Sequence, residues 1–329
     1  MLPGEASACL SVLAFAAMVG GDAALAQDFP TKPITIVLVL APGTGLDAVA
    51  RAYGEKLAQR LGKPVVFDNR PGANGIVAVS ALKNMSGDGH ALLVATSGPL
   101  AANKFTYRHL PYDPEKDLVP VSLYLKSPFV LIVNPALPVN SVPELIKFMK
   151  GRPGELSYSS TGHGGAPRLA TEMFLQSFGL NATHVPYKNS PQSIADVAAG
   201  HVELAFSEAG ATQVLIQEGR LRALAVSSLA RLGHLPNVPT MAEATGHADF
   251  EAVSWHALVA PSTTPGPVVN KLHVEMNRAL RMPDVRERIV SQGMIPVEPG
   301  TVEENRRYIA AEAKKWGDLI TKLGLAGSQ

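Results

Sequence analysis

Two short loops concentrate the residue types that hold small anions. Pro42-Gly43-Thr44-Gly45-Leu46-Asp47 follows the apolar run Ile34-Thr35-Ile36-Val37-Leu38-Val39-Leu40, and Ser159-Ser160-Thr161-Gly162-His163-Gly164-Gly165 precedes a stretch with Pro167, a residue favoured in the first turn of a helix. Glycine lets a backbone approach a ligand, hydroxyls supply hydrogen bonds, and the N–H groups of a starting helix point at negative charge. Thr96-Ser97-Gly98 is a third candidate, placed after another apolar run. A plain tight turn explains any one such loop. Two of them in separate halves of one chain favour an anion site. Neither loop carries Lys or Arg before its helix begins, and the nearest cations are Arg51 and Arg168. The expectation is therefore recognition by the N–H groups after Gly45 and Gly165, helped by the hydroxyls of Thr96, Ser160 and Thr161, without a buried salt bridge.

Other chemistries fit these residues less well. Gly43-x-Gly45-x-x-Ala48 follows a strand-like run, opens a helical one, and is followed by Asp68 at about the spacing of a dinucleotide fingerprint. Asp47 would then stand in the first helical turn, where it repels a pyrophosphate. The alternative that this leaves is an exported α/β enzyme using the Gly43-x-Gly45 loop for a nucleotide cofactor. No Gly-x-Ser-x-Gly elbow occurs, which argues against an α/β-hydrolase nucleophile. His163 lies near Ser160 in sequence, but adjacency on one loop is weak support for a base and nucleophile. His201-x-Glu203 supplies two ligands, too few for a metal site. No catalytic residue, metal or cofactor is expected, and Trp255 and Trp316 are read as core.

The elements that must position these loops alternate. After the run at residues 34–40, Leu46, Val49, Ala50, Tyr53, Leu57 and Leu61 recur at helical spacing until Gly62, and Pro64-Val65-Val66-Phe67-Asp68 is the next strand. A helix is expected at 75–83, strands at 91–96 and 129–133, and a helix at 141–149 that starts as a capping box on Ser141 and Glu144. Short strands follow at 156–159, 182–185, 204–207 and 224–227 with helices between them, and helices at 267–280 and 302–323 close the chain. Such alternation implies an α/β fold with largely parallel sheets, and two sets of it imply two lobes. No Pro/Gly/Ser-rich linker separates the sets, so continuous strands are expected to join them.

The chain has 329 residues, 46% hydrophobic and 17% charged, which is ordinary for a globular protein. Residues 1–26 contain an apolar stretch at 10–20, too short to span a bilayer, and end in Ala24-Leu25-Ala26, a small-x-small pattern. A signal peptide cleaved after Ala26 is expected, although its first residues carry Glu5 and no cation. Cys9 precedes the apolar stretch, so lipid anchoring is disfavoured, and the chain after Ala26 has no thiol or disulfide chemistry. Loss of Glu5 and Asp22 takes the net charge from +1 only to about +3, too mild to suggest nucleic acid.

Six further motifs, in order, resemble one family: Phe29-Pro30-x-Lys32-Pro33-Ile34, Asn69-Arg70-Pro71-Gly72-Ala73-Asn74-Gly75, Leu110-Pro111-Tyr112-Asp113-Pro114, Val185-Pro186-Tyr187-Lys188, residues 219–226 and Leu235-Pro236-x-Val238-Pro239-Thr240. The sequence is similar to the receptors of tripartite tricarboxylate transporters, also called Bug-type periplasmic binding proteins. The resemblance implies a two-lobed periplasmic-binding fold, type II-like, in which the chain crosses twice between lobes that close on a ligand in the cleft. Residues 27–126 with 253–329 would form one lobe and 127–252 the other. It implies a small carboxylate ligand (a di- or tricarboxylate, acidic amino acid or aromatic acid), two integral membrane transporter subunits as partners, a monomeric receptor and a periplasmic location. Carried onto this chain, the ligand-binding set is Gly43, Thr44, Gly45, Asp47, Thr96, Ser97, Ser160, Thr161, Gly162, His163, Gly164, Arg168 and Ser207. The chain departs from the family pattern at Thr44 and Leu46 in the first loop, at Arg168 where His is usual, and at Ser207 where Asp is usual, with Glu208 next.

Overall fold

The computed structural model describes residues 29–161, 165–298 and 300–329. The expected signal peptide, and Gly162, His163 and Gly164 of the second loop, lie outside the described residues.

The first unit is β1 (Ile34–Leu38), α1 (Gly45–Leu61) and β2 (Val65–Asn69), with β1 and β2 parallel from Ile34↔Val65 to Leu38↔Asn69. Leu46, Val49, Ala50, Tyr53 and Leu57 bury the apolar stripe of α1, and Gly62 ends the helix in the left-handed conformation at φ 70°. After α2 (Ile76–Lys83), β3 (Ala91–Thr96) lies on the other side of β1, also parallel. Short helices α3 (Asn103–Thr106) and α4 (Pro114–Asp117) then lead into β4 (Leu118–Val133), a strand of 16 residues.

The second half contains α5 (Val142–Lys150), β5 (Ser157–Thr161), α6 (Ala166–Phe178), β6 (Thr183–Tyr187), α7 (Ser190–Ala199), β7 (Leu204–Glu208), α8 (Ala209–Gln217), β8 (Arg222–Val226) and α9 (Met241–Thr245). Here β5 is parallel to both β6 and β7. The chain returns through β9 (Val253–Pro261), followed by α10 (Gly266–Leu280), α11 (Pro283–Ser291), the short β10 (Ile295–Pro296) and α12 (Val302–Lys322).

The long strand β4 belongs to both halves. From Leu118 to Pro128 it pairs with β9, and from Phe129 to Val133 it pairs with β7 and β8. All the ladders are thus continuous through one strand, in the order β2-β1-β3-β9-β4-β7-β5-β6, with β8 and β10 added against β4. Only residues 129–133 of β4 show the uninterrupted apolar run of a buried strand, because Pro120, Ser122, Ser127 and Pro128 break the pattern before them. A register shift beside Pro120 and another beside Leu123 let the ladder pass the first of these breaks, and Pro128 falls at the end of the β9 ladder.

The core matches the spacing. Trp255 and Trp316 are both fully buried, and their indole N–H groups donate to the same Glu312 oxygen at 3.0 Å each. One carboxylate thereby satisfies two donors that would each be costly to leave unpaired. The helix at Ser141 corrects the sequence reading in part. Ser141 caps Glu144 N–H, but the Glu144 carboxylate returns to the N–H of Asn140 rather than that of Ser141, so only half of a capping box forms.

Candidate functional site

Loops after β1, β3, β5, β6 and β7 converge on one cleft. Thr44, Gly45 and Leu46 enter from the start of α1, Thr96 and Ser97 from the end of β3, Gly165, Ala166 and Pro167 from the start of α6, and Ser190 from the start of α7. Glu208 ends β7 and, with Thr161, lines every part of the cleft. Its inner chamber holds about 160 Å³ and its outer space about 580 Å³, the latter within the range of small-ligand sites, roughly 300–1,000 Å³.

Each helix start offers unsatisfied donors. The first N–H groups of any helix lack intrahelical acceptors. At α1 the Thr44 hydroxyl accepts from Asp47 N–H at 3.3 Å, which leaves the N–H groups of Gly45 and Leu46 at the chamber wall. At α6 the N-cap is Gly165, which has no side chain to fill that role, and Ala166 follows it at the cleft.

Asp47 and Gly43 shape the loop from behind. The Asp47 carboxylate is buried and accepts from Gly43 N–H at 3.0 Å, from Arg51 Nε at 2.9 Å and from Asn69 Nδ2 at 2.9 Å. Burial alone would push its pKa up, but the hydrogen bonds from Arg51, Asn69 and Gly43 outweigh burial and hold it below the usual range. Arg51 is consumed here, bonded also to Asn69 Oδ1 at 2.9 Å and stacked over the Phe67 ring. The Gly43 N–H that a nucleotide phosphate would need is already taken by Asp47.

Arg168 has an acidic neighbour. It is 8% exposed, and its Nε lies 3.6 Å from Glu172, whose carboxylate accepts from Tyr158 Oη at 2.6 Å. Among the described residues no Lys or Arg lines the cleft. Of the residues proposed from sequence, Thr44, Gly45, Thr96, Ser97, Ser160, Thr161 and Ser207 line it, whereas Gly43, Asp47 and Arg168 are not part of its lining.

Several lining residues carry no signal in the two loops. Ser190 and Ser193 sit where α7 starts, with Asn189 as N-cap. Ser254 bonds Ser97 across the chamber floor at 3.2 Å. Asn74 reaches the wall from a backbone at φ 47° and donates to Asn103 Oδ1 at 2.6 Å, while Asn103 in turn donates to Tyr112 Oη at 3.2 Å. That chain ties the Pro-Gly-Ala-Asn-Gly and Pro-Tyr-Asp-Pro motifs together, so part of what the motifs encode is the mounting of this wall.

His256 closes the chamber from β9, and burial pushes its pKa down to about 3. In the unfolded chain it takes a proton below about pH 6.5, whereas the folded protein resists that proton until far lower. Stability is therefore expected to fall as the pH drops from about 6.5 towards 4, by up to about 1.4 kcal/mol per unit from this residue. Melting curves of His256→Gln should be flatter than wild type over that window, and equal slopes would refute the assignment.

Among the described residues there is no cluster of metal ligands, and no helix is long and apolar enough to cross a membrane. Comparison with known proteins gives one consistent answer. The model of the tripartite tricarboxylate transporter family receptor matches residues 49–325. Protein BugT of Bordetella pertussis is 36% identical over 91% of this chain and 91% of its own length. The solved structure of Rhodopseudomonas palustris Rpa4515 with adipate is 33% identical, covering 91% of this chain and 99% of that one, with a TM-score of 0.82. MatC (Rpa3494) from Rhodopseudomonas palustris with bound malate is 27% identical over 89% of this chain and all of its own, with a TM-score of 0.77. The fold is accordingly the two-lobed one of periplasmic binding proteins, with its ligand site in the cleft, and the chain belongs to the tripartite tricarboxylate transporter receptor family.

Proposed function

We propose that this chain is an extracytoplasmic receptor that captures a small carboxylate in the cleft and delivers it, without chemical change, to two integral membrane subunits of a tripartite transporter. The observation that carries this reading is a cleft furnished with helix-start N–H groups and hydroxyls, in which no described residue is a Lys or Arg. Helix starts favour an anion by roughly 0.3–1 kcal/mol when exposed and up to about 2 kcal/mol when partly buried. Adipate in one structural relative and malate in another support the ligand class.

The lobes in this reading are residues 27–126 with 253–329 and residues 127–252. Support comes from β4, whose pairing partners change at Phe129, and from β9, which begins at Val253. The receptor acts as a monomer in the periplasm after cleavage behind Ala26 and uses no cofactor. Gly43 N–H, committed to Asp47, weighs against the nucleotide-dependent enzyme.

A thermal-shift panel of carboxylates and nucleotides tests this. A bound acid at about a hundred times its Kd adds about 2.7 kcal/mol to stability, enough to raise the melting temperature by several degrees. Nucleotides should leave it unmoved. A shift with NAD or ATP and none with any carboxylate would overturn the reading.

A further inference from the structure

Glu208 stands out in a cleft otherwise built to receive negative charge. It is the last residue of β7 and the N-cap of α8, yet its side chain makes no capping hydrogen bond. Among the described residues its carboxylate has no hydrogen-bond or ion-pair partner, although Asp47, Glu172 and Glu312 each hold one or more. Burial pushes its pKa up, with nothing in the protein to offset the loss of solvent. It borders the inner chamber, the recess of Ser160, Ser193 and Ser207, and the outer space beside Thr44 and Gln292. Glu208 thus has a place in the wall of each part of the cleft.

Among the described residues, few titratable groups face Glu208. His256 comes from β9 and is held neutral by burial, while α1, α6 and α7 and the end of α11 present no charged side chain to the cleft. A simple dicarboxylate would therefore set one of its two charges against an acceptor that has no proton donor of its own. A molecule with a carboxylate at one end and N–H donors at the other satisfies both features of the site.

We propose that Glu208 is the specificity-determining residue of this cleft and that the ligand is an amino carboxylate, its carboxylate on the helix starts of α1 and α6 and its ammonium group on Glu208. This rests on the carboxylate-receptor reading and narrows its ligand class.

Calorimetry at pH 7 on the full chain, with matched probes, provides the test: adipate against ε-aminocaproate, succinate against γ-aminobutyrate, and malate against aspartate. In at least one pair the amino acid is expected to bind at least tenfold more tightly than its partner. Glu208→Gln should weaken that amino acid at least tenfold and strengthen the matched dicarboxylate. The wild-type comparison stands even if the variant folds poorly. A wild-type preference for the dicarboxylates in every pair would overturn the proposal, as would a Gln variant with unchanged ratios. Tight dicarboxylate binding with uptake of a proton would also overturn it, marking Glu208 as a neutral acid that donates to the ligand. In each of those cases the carboxylate-receptor reading survives, whereas failure of every acid in the panel would sink both.

Discussion

Ala166→Pro is expected to weaken binding of the cleft's acid at least tenfold while changing the stability of the free protein by less than about 1 kcal/mol. Ala166 is the first residue of α6, a position where proline fits the helix and where its missing N–H breaks no intrahelical bond. Gly165 before it already has φ −73° and ψ 149°, the extended backbone that a following proline requires. What the change removes is one N–H donor at the chamber wall. A hydrogen bond to a charged group contributes about 1.5–3 kcal/mol, so a loss of tenfold or more follows if that donor touches the ligand. Arg168→Ala should show the opposite pattern. Its guanidinium lies among Tyr158 and Glu172, so its loss should lower stability by about 1–3 kcal/mol and cost less than tenfold in affinity. Calorimetric titration and thermal melting of the two variants decide the matter. A severe affinity loss in Arg168→Ala with a mild one in Ala166→Pro would show an arginine clamp in place of backbone recognition.

How much of this site could be read from sequence depends on the kind of signal each residue leaves. The starts of α1 and α6 were legible because glycine, hydroxyl and proline residues at a strand-to-helix junction have local causes, and Thr44 does cap α1. Gly43 and Asp47 were legible as loop residues, but their direction was not. Asp47 faces inward because Asn69, 22 residues on at the end of β2, supplies a donor there, and a pairing over that separation has no local trace. The neighbours of Arg168 had no local trace either, apart from Glu172 one turn on, since Tyr158 comes from β5. Ser254 and His256 lie on β9, a strand buried along its whole length, where a polar residue reads as an interruption until the chamber beside it is known. The first part of β4 was hidden likewise, because Pro120 is passed by a register shift and Pro128 sits at the end of the ladder, which only the partner strand β9 reveals.

Gly210→Leu is expected to lower affinity for the acid roughly tenfold to a hundredfold by penalising closure of the two proposed lobes. Gly210 is the second residue of α8, in residues 127–252, and it packs against Gln292 and Gly293 at the end of α11, in residues 253–329. A Cβ at position 210 would lie 2.3 Å from the Gln292 carbonyl oxygen and 3.1 Å from its carbon, both backbone atoms that cannot swing aside. A Cβ at position 293 would meet the Gly210 nitrogen at 2.8 Å, so the contact is close from either side. Gly210 has no positive φ that a side chain would strain, and a helix interior favours leucine over glycine by somewhat under 1 kcal/mol. The helix itself should therefore tolerate the leucine, and the cost falls where the two backbones meet. Overpacking of that kind costs about 1–3 kcal/mol, and if it falls on the closed form alone it subtracts from binding energy directly, at 1.4 kcal/mol for each tenfold. Small-angle scattering adds an independent measure, since ligand should compact the wild type more than the variant. Equal affinity and equal compaction in the two proteins would mean that Gly210 and Gln292 do not meet in the bound state, and that closure brings together some other pair of surfaces.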